Sequence, residues 1–562
     1  MNTDNLTLDS KIIGALPIVN RFIERMGLES LLEKALPPTN SSQKISNAKM
    51  ITLLVRSVLI ERNPLYQISE WASIHDPKLI GLDGAPANCL NDDRVGRSLD
   101  ALFDADRASL MTQVVLRVVS EFDLDLTQLH NDSTSITFTG DYTFEPPAGA
   151  GGKKAAAIKH GHNKDHRPDL KQLVFSLSVS RDGAVPIHCK VYDGNTTDDS
   201  THIATWEALR RLAGRSDFIY VADSKLCTRE QMGHLAKEGG RFITVLPATR
   251  SEDKWMREQV RTRPVDWVEC LRKPNSRRPG SEHVYFGYES PLPSAEGYRI
   301  IWILSSQKQE QDARIRQNRI KKTILQLDRL KKKAGVGRLK TAEQITNAVQ
   351  AIFRKYNTEG LIAWSIKQNP IESYKQKGKG RPGPDTEYVK TSDSTLSFEA
   401  MPDPARIQSE AATDGIFPLI TNIPDMSVAD VLQKYKYQPY LEKRHEQLKN
   451  ALDVAPVFIK DARRIEAFLF VYFLALVIAS LIERELRLAM KTEGIQSLPL
   501  YPEKRKCKFP TSQRALEIFS SHRKSVLFNR QEKVETFFDK LDALQKQILK
   551  LLGVSPRHYA ID

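Results

Sequence analysis

Apolar positions in residues 1–120 recur at helical spacing, as in residues 11–26 and 48–62, with polar breaks at Pro37-Pro38 and Asp92-Asp93. From about residue 124 the pattern changes. Runs at 126–138, 172–180 and 185–192 predict three neighbouring strands. A helix over 199–213, a strand ending at Asp223, a helix over 228–238 and a strand from Arg241 follow. Residues 250–412 begin and end as mixed strand and loop, with strands expected at 282–288 and 299–304. Between them lies a charged helix over 307–333, whose narrow stripe of Ile320, Ile324, Leu327 and Leu330 suits a short antiparallel hairpin with a helix over 341–356. The apolar run 467–482 would span roughly 24 Å as a helix. That is short of the ~30 Å hydrocarbon layer. With Arg463, Arg464, Glu483 and Arg484 at its ends, it reads as a buried helix. A C-terminal amphipathic helix is expected over 534–552.

These elements predict an α/β protein in five segments. They are a helical N-terminal domain for DNA binding or dimerisation over 1–120, a catalytic core over 121–249 and 413–495, a mixed α+β insertion domain over 250–412, and a helical tail over 496–562. Lys plus Arg number 83 against 69 Asp plus Glu, a net charge of +14, which makes a polyanion the expected large partner. Cys89, Cys189, Cys227, Cys270 and Cys507 are scattered without a C-x-x-C pair, so neither a zinc ribbon nor a disulfide framework is expected. The first residues have no basic or apolar signal-peptide region, which fits a cytoplasmic, nucleoid-associated protein without a membrane segment.

Candidate chemistry begins with two carboxylates at the ends of strand-like runs, Asp132 and Asp223. A third lies in Tyr435-x2-Gln438-Pro439-x2-Glu442-Lys443-Arg444-x4-Lys449, where Pro439 suits the first turn of a helix. Helical spacing would put Glu442 and Lys449 on one face. A carboxylate there can hold a divalent cation, and the lysine can neutralise a phosphate oxygen. Asp141 and Glu446 are the nearest substitutes for the first and third carboxylates. Between the first two strands, residues 140–171 form a long Gly-rich excursion. Its His160, His162 and His166 invite a zinc reading, but Gly161 and the lysines favour a loop whose Lys164 and Arg167 reach DNA phosphate. The basic tract 375–384 cannot be helical. It is either a solvated linker or a segment whose Lys379 and Arg381 reach DNA, with the Gly-Arg-Pro unit laying its cation in a narrow minor groove.

The motif Tyr435-x2-Gln438-x3-Glu442-x6-Lys449 resembles the Y-x2-R-x3-E-x6-K signature of a large group of bacterial insertion-sequence DDE transposases, with Gln438 in place of the Arg. Stretches around Asp132, from Gly161 to Asp169, from Asp193 to Asp198 and from Asp414 to Asn422 resemble the same group in the same order. The resemblance implies an RNase H-like mixed sheet flanked by helices, in keeping with three strands followed by β-α-β-α, and an insertion domain that grips transposon-end DNA. It implies that Asp132, Asp223 and Glu442 bind two Mg2+ or Mn2+ ions. Tyr435, Gln438 and Lys449 would contact DNA. The activity implied is cleavage at terminal inverted repeats and transfer of the 3′-hydroxyl strand into target DNA, by a homodimer or larger assembly. No nucleotide cofactor is expected, since a Walker A loop is absent. An inactive or domesticated DNA-binding relative, and a stand-alone metal-dependent nuclease, remain the alternatives.

Overall fold

Alternation and strand length set the centre of the fold. The 11-residue strand β2 (Gln128–Phe138) is almost wholly buried on both faces, with Ile136 and Phe138 on one and Leu129 on the other. The computed structural model describes residues 6–38, 44–61, 63–82, 89–142, 148–275, 278, 280–334, 339–454 and 459–560. The chain forms two compact units, residues 1–244 with 434–562 and residues 245–433.

In the first unit, β1 (Leu6–Ile12) precedes the helices, and the main strands are β2, β3 (Lys171–Ser180), β4 (Pro186–Tyr192), β5 (Ile219–Val221) and β6 (Arg241–Val245). Their order is β4-β3-β2-β5-β6. The β2-β3-β4 pairs are antiparallel, and β5 and β6 add in parallel. Helices His202–Ala213 and Arg229–Lys237 provide the crossovers that parallel pairing demands. All seven elements match the expected β-β-β-α-β-α-β series.

Helix Ala462–Thr492 is far longer than its apolar run. It is the one helix among the described residues long and apolar enough to cross a membrane, yet 94% of that window is buried inside the fold. Hydrophobicity on all sides is what a helix surrounded by protein requires. It runs beside helices Asn47–Ile60 and Asp92–Asp104, and Arg464 binds Asp100 at 2.9 and 2.8 Å.

The second unit has an antiparallel series in the order β12-β9-β8-β7, from β7 (Val268–Pro274), β8 (Glu282–Glu289), β9 (Arg299–Ser305) and β12 (Ile416–Thr421). Helices Ser306–Lys331 and Ala342–Tyr356 form the expected charged pair. Leu327, with Ile324 and Leu330 beside it, meets Ile345, Val349 and Phe353. The same cluster takes in Ile362 and Phe398, at the base of a two-stranded ribbon of β10 (Ile362–Gln376) and β11 (Tyr388–Pro402). The basic tract expected as a linker or flexible segment is therefore the distal end of a hairpin.

Two expected helices are different. Residues 11–26 divide into β1 and helix Leu16–Arg25, because Gly14 turns the chain at φ +52° and Pro17 opens the helix. Residues 534–552 divide into strand and helix as well. After β13 (Leu498–Tyr501), β14 (Arg505–Cys507) and β15 (Arg523–Asn529) comes β16 (Glu532–Phe538), and only Ala543–Leu551 is helical. Asp542 and Gln545 form a capping box that fixes its start. The β15 strand pairs with β1 and β16, so the segment expected as a helical tail is partly sheet, tied to the N-terminal strand.

Candidate active site

Two of the candidate carboxylates are neighbours by strand register. The β2 and β5 strands run parallel with Gln128 opposite Ile219, Leu129 opposite Tyr220 and His130 opposite Val221. Two residues further on, the same register brings Asp132 beside Asp223. Asp132 lies within β2 rather than at its end as expected, because β2 continues along β3 after β5 has stopped. The backbone past β5 stays extended, with the Ala222 N–H donating to the Ile243 carbonyl at 3.3 Å. Asp223 then caps a short 3-10 turn, its Oδ1 accepting the Lys225 N–H at 3.0 Å.

The third carboxylate comes from helix Gln438–Glu446, which opens with Pro439 in its first turn as expected. Gln438 was expected to contact DNA but is 7% exposed. Its Oε1 lies 2.8 Å from His130 Nδ1, and its Nε2 donates to the Asn131 carbonyl at 3.2 Å. His130 Nε2 meets Gln128 Nε2 at 2.7 Å, so a neutral imidazole protonated on Nδ1 satisfies both contacts. Burial pushes the His130 pKa down to about 4, which keeps it neutral. Gln438 thus pins the helix to β2 one residue from Asp132. Arg444 pins the other end. Buried, it binds Glu483 at 2.7 Å and the carbonyls of Ala184 and Gly183 at 3.0 and 2.8 Å, so it faces the core rather than Glu442.

Glu442 itself is exposed. Asp132, Asp223 and Glu442 all act electrostatically on Tyr435. Burial first, then the negative charges of Asp223, Glu442 and Asp132, push its phenol up to about 12. Behind Asp223 lies buried His202, whose Nδ1 is 3.0 Å from the Tyr220 hydroxyl and whose Nε2 is 3.9 Å from Asp223 Oδ1. The sequence reading missed His202. It begins a helix some twenty residues before Asp223, and only the crossover brings the two together.

Loop residues 163–165 lie over Asp132. The Lys164 ammonium is 3.3 Å from Asp132 Oδ1, 2.7 Å from the Ser133 carbonyl and 2.9 Å from Ser133 Oγ. Asp165, also missed, holds the Lys449 ammonium at 2.7 and 2.9 Å. Lys449 does not continue the helical face of Glu442. After Glu446 the chain widens into a π turn over Gln447–Ala451, closed by the Leu452 N–H on the Gln447 carbonyl at 2.9 Å. Arg167 forms an exposed fork with Asp169 at 2.9 and 2.7 Å and lies outside the carboxylate group. Of the substitutes, Asp141 is exposed and gives its carbonyl to Lys171, and Glu446 is exposed on the helix. Lys379 and Arg381 belong to the second unit, in the hairpin end between β10 and β11.

Three carboxylates are the donor set a hard divalent cation takes. Among the described residues, no three His, Cys, Asp or Glu side chains stand close enough to hold a metal ion as they are, and none of the loop histidines forms such a group. The donor types fit Mg2+ or Mn2+, but the nearest cation to Asp132 is an ammonium. A metal would have to displace Lys164 and draw the carboxylates together.

Residues 8–116 match the model of a domain of unknown function (DUF4277). No curated protein matches the chain. Among solved structures, the chain is similar to the piggyBac transposase in a cryo-EM structure of its synaptic complex with hairpin DNA. The identity is 13% and the TM-score 0.27, over 52% of this chain and 59% of that one. The chain therefore spans about three fifths of that protein's length.

Proposed function

We propose that this chain is a DNA transposase that cleaves the ends of an insertion sequence and joins the freed 3′-hydroxyl strands to target DNA. The observation that carries the reading is the parallel register that brings Asp132 and Asp223 to neighbouring strand positions, with their charges and that of Glu442 all bearing on the phenol of Tyr435. Strand order β4-β3-β2-β5-β6 supports an RNase H-like core. The sequence signature, with Glu442 placed by Gln438 and Arg444, supports the DDE assignment.

In this reading Asp132, Asp223 and Glu442 would hold two Mg2+ or Mn2+ ions, which when bound would supply Lewis-acid stabilisation of attacking and leaving oxygens. The chain's own side chains do the positioning. Gln438 fixes the helix carrying Glu442, Tyr435 offers a protonated phenol to a DNA end, and Lys449, once off Asp165, neutralises a phosphate oxygen. Lys164 and Arg167 supply further cations from the loop. Cutting and joining both need two ends held together, which calls for at least a homodimer on double-stranded DNA. In this reading the protein is bacterial and works in the cytoplasm, at the nucleoid.

A strand-joining assay tests this. Purified protein, labelled DNA from the flanks of its own gene, a plasmid target and Mg2+ should give joined product, lost in EDTA. Glu442→Ala and Asp132→Ala should each lower the rate on the order of a thousandfold, about 4 kcal/mol. Joining retained in Asp132→Ala overturns the assignment. Cutting without joining would identify a nuclease, and binding with neither an inactive DNA-binding relative.

A further inference from the structure

The β10-β11 ribbon raises a question that its own packing does not answer. All fifteen residues of each strand are paired, from Ile362 opposite Pro402 to Gln376 opposite Tyr388. At ~3.4 Å per residue that is about 50 Å of ribbon. Only its base has a core, where Ile362, Trp364, Ile366, Leu396, Phe398 and Ala400 join the helix cluster. Beyond Gln368 and its neighbours, most described side chains on both faces are exposed.

A two-stranded hairpin without a core is marginal in water. Here it is stiffened by cross-strand polar pairs. Gln368 donates to Ser394 Oγ at 2.7 Å, Ser373 and Thr391 meet at 2.9 Å, Lys390 binds Glu372 at 2.7 Å, and Lys377 binds Glu387 at 2.8 Å. The ribbon is built to keep its shape in solvent.

Its end is narrow and basic on balance. Lys375, Lys377, Lys379 and Arg381 stand against Asp385 and Glu387, and Gly380-Arg381-Pro382-Gly383-Pro384 forms the turn region. Lys377 is paired; Lys375, Lys379 and Arg381 are exposed. Gly380 sits at φ +141°, a conformation closed to other residues, and nothing within 4 Å would meet a Cβ at Gly378, Gly380 or Gly383. Tyr374 and Tyr388 are 63% and 53% exposed. They share one ribbon face, since Tyr388 is opposite Gln376 and Gln376 is two residues from Tyr374. Exposed rings beside cations, with no partner in the fold, suit sugar and phosphate contacts along a duplex.

We propose that the β10-β11 ribbon is a DNA-gripping arm whose Gly-Arg-Pro end enters the minor groove, with Arg381 in the groove and Lys375 and Lys379 on the flanking phosphates. This rests on the reading of the protein as one that handles DNA, but not on its catalytic residues. A minor groove about 6 Å wide admits a Gly-Pro turn carrying one long cation better than the whole ribbon. Narrow A·T tracts concentrate negative potential there, and a proline can serve as a wedge at a base step.

The test is fluorescence anisotropy of the full chain on a duplex of about 30 base pairs, between 50 and 300 mM salt. Three duplexes are compared, A·T-rich, G·C-rich and inosine·cytosine, the last presenting an A·T-like minor groove and a G·C-like major groove. Lys375→Ala, Lys379→Ala and Arg381→Ala combined should weaken binding at least tenfold and flatten the log-log salt slope by about 1.8, from ~0.9 for each of the two phosphate contacts. An equal-charge control, Lys237→Ala, Lys254→Ala and Lys491→Ala combined, should leave the slope nearly unchanged. Inosine·cytosine DNA should bind like A·T DNA, and Arg381→Ala alone should abolish that preference.

If the arm variant and the control lose affinity equally, or the arm variant loses none, the arm is overturned while DNA binding stands. Inosine·cytosine DNA behaving like G·C DNA overturns the groove assignment. A wild-type chain that binds no duplex overturns the DNA reading itself. Limited proteolysis confirms that the ribbon, with Lys377 and Glu387 intact, remains folded in the variant.

Discussion

Lys164 sets its ammonium 3.3 Å from Asp132 Oδ1, and the next residue, Asp165, places both carboxylate oxygens on Lys449. One dipeptide of the loop between β2 and β3 thus puts a cation where the proposed mechanism needs a metal, and an anion where it needs a phosphate. Asp132 and Lys449 are thus each paired within the chain, with side chains that a metal and a phosphate would have to replace.

Removing that competition should show in metal affinity alone. Lys164→Met keeps the aliphatic stem and deletes the charge, so Mn2+ binding, read from the free-ion EPR signal, is expected to tighten about tenfold, or about 1.4 kcal/mol. Asp132→Asn should weaken it. Weaker binding in Lys164→Met would mean that Lys164 orients Asp132 instead of competing for it.

Freeing Lys449 should show in DNA binding. Asp165→Asn removes a carboxylate that now holds the ammonium at 2.7 Å and leaves the loop backbone intact. Affinity for end DNA is expected to rise, with the log-log salt slope steeper by about 0.9, one more phosphate contact. An unchanged slope would place Lys449 off the DNA path.

Gln438 offers a stability test separate from catalysis. Gln438→Ala strands His130 Nδ1 and the Asn131 carbonyl, both buried, and is expected to cost about 1–3 kcal/mol in urea unfolding. Because Gln438 does not reach solvent, nonspecific DNA affinity should change less than twofold. A large loss of DNA affinity at unchanged stability would restore the contact role expected from its place in the signature.

The sheet was legible because its chemistry is local. Alternation in 172–180 and 185–192, and crossover helices of ordinary length, are visible in the chain. Asp132, Asp223 and Glu442 were singled out for a different reason, since they stand in motifs that resemble a transposase signature, and their roles are proposed. What the sequence hid depends on contacts between distant residues. Asp165 looks like any loop acid until Lys449 arrives from 284 residues away, and His202 like any helix residue until Tyr220 and Asp223 flank it. Gln438 read as a DNA contact because nothing local reveals that its amide faces His130. Lys375 and Gln376 read as linker because a polar ribbon without a core carries no hydrophobic period to betray it.

Acid should destabilise the first unit through a histidine the proposed chemistry does not use. His188 is 6% exposed on β4. Burial first, then the nearby charges of Lys190 and Arg211, push its pKa down from 6.5 to about 4, so it stays neutral in the fold. Glu207, Glu466, Asp106, Arg107 and Lys153 line the same cavity of about 680 Å³. Between pH 6.5 and 4 the unfolded chain binds the proton that the folded chain refuses. Unfolding free energy therefore falls as pH drops through that window. The loss attributable to this residue reaches about 3 kcal/mol by pH 4 and disappears above pH 7. Urea titrations of wild type and His188→Leu at pH 7.5, 5.5 and 4.5 read the effect. Wild type should lose stability relative to His188→Leu as pH falls, because leucine takes up no proton, and parallel curves would show that the folded and unfolded chains bind the His188 proton equally.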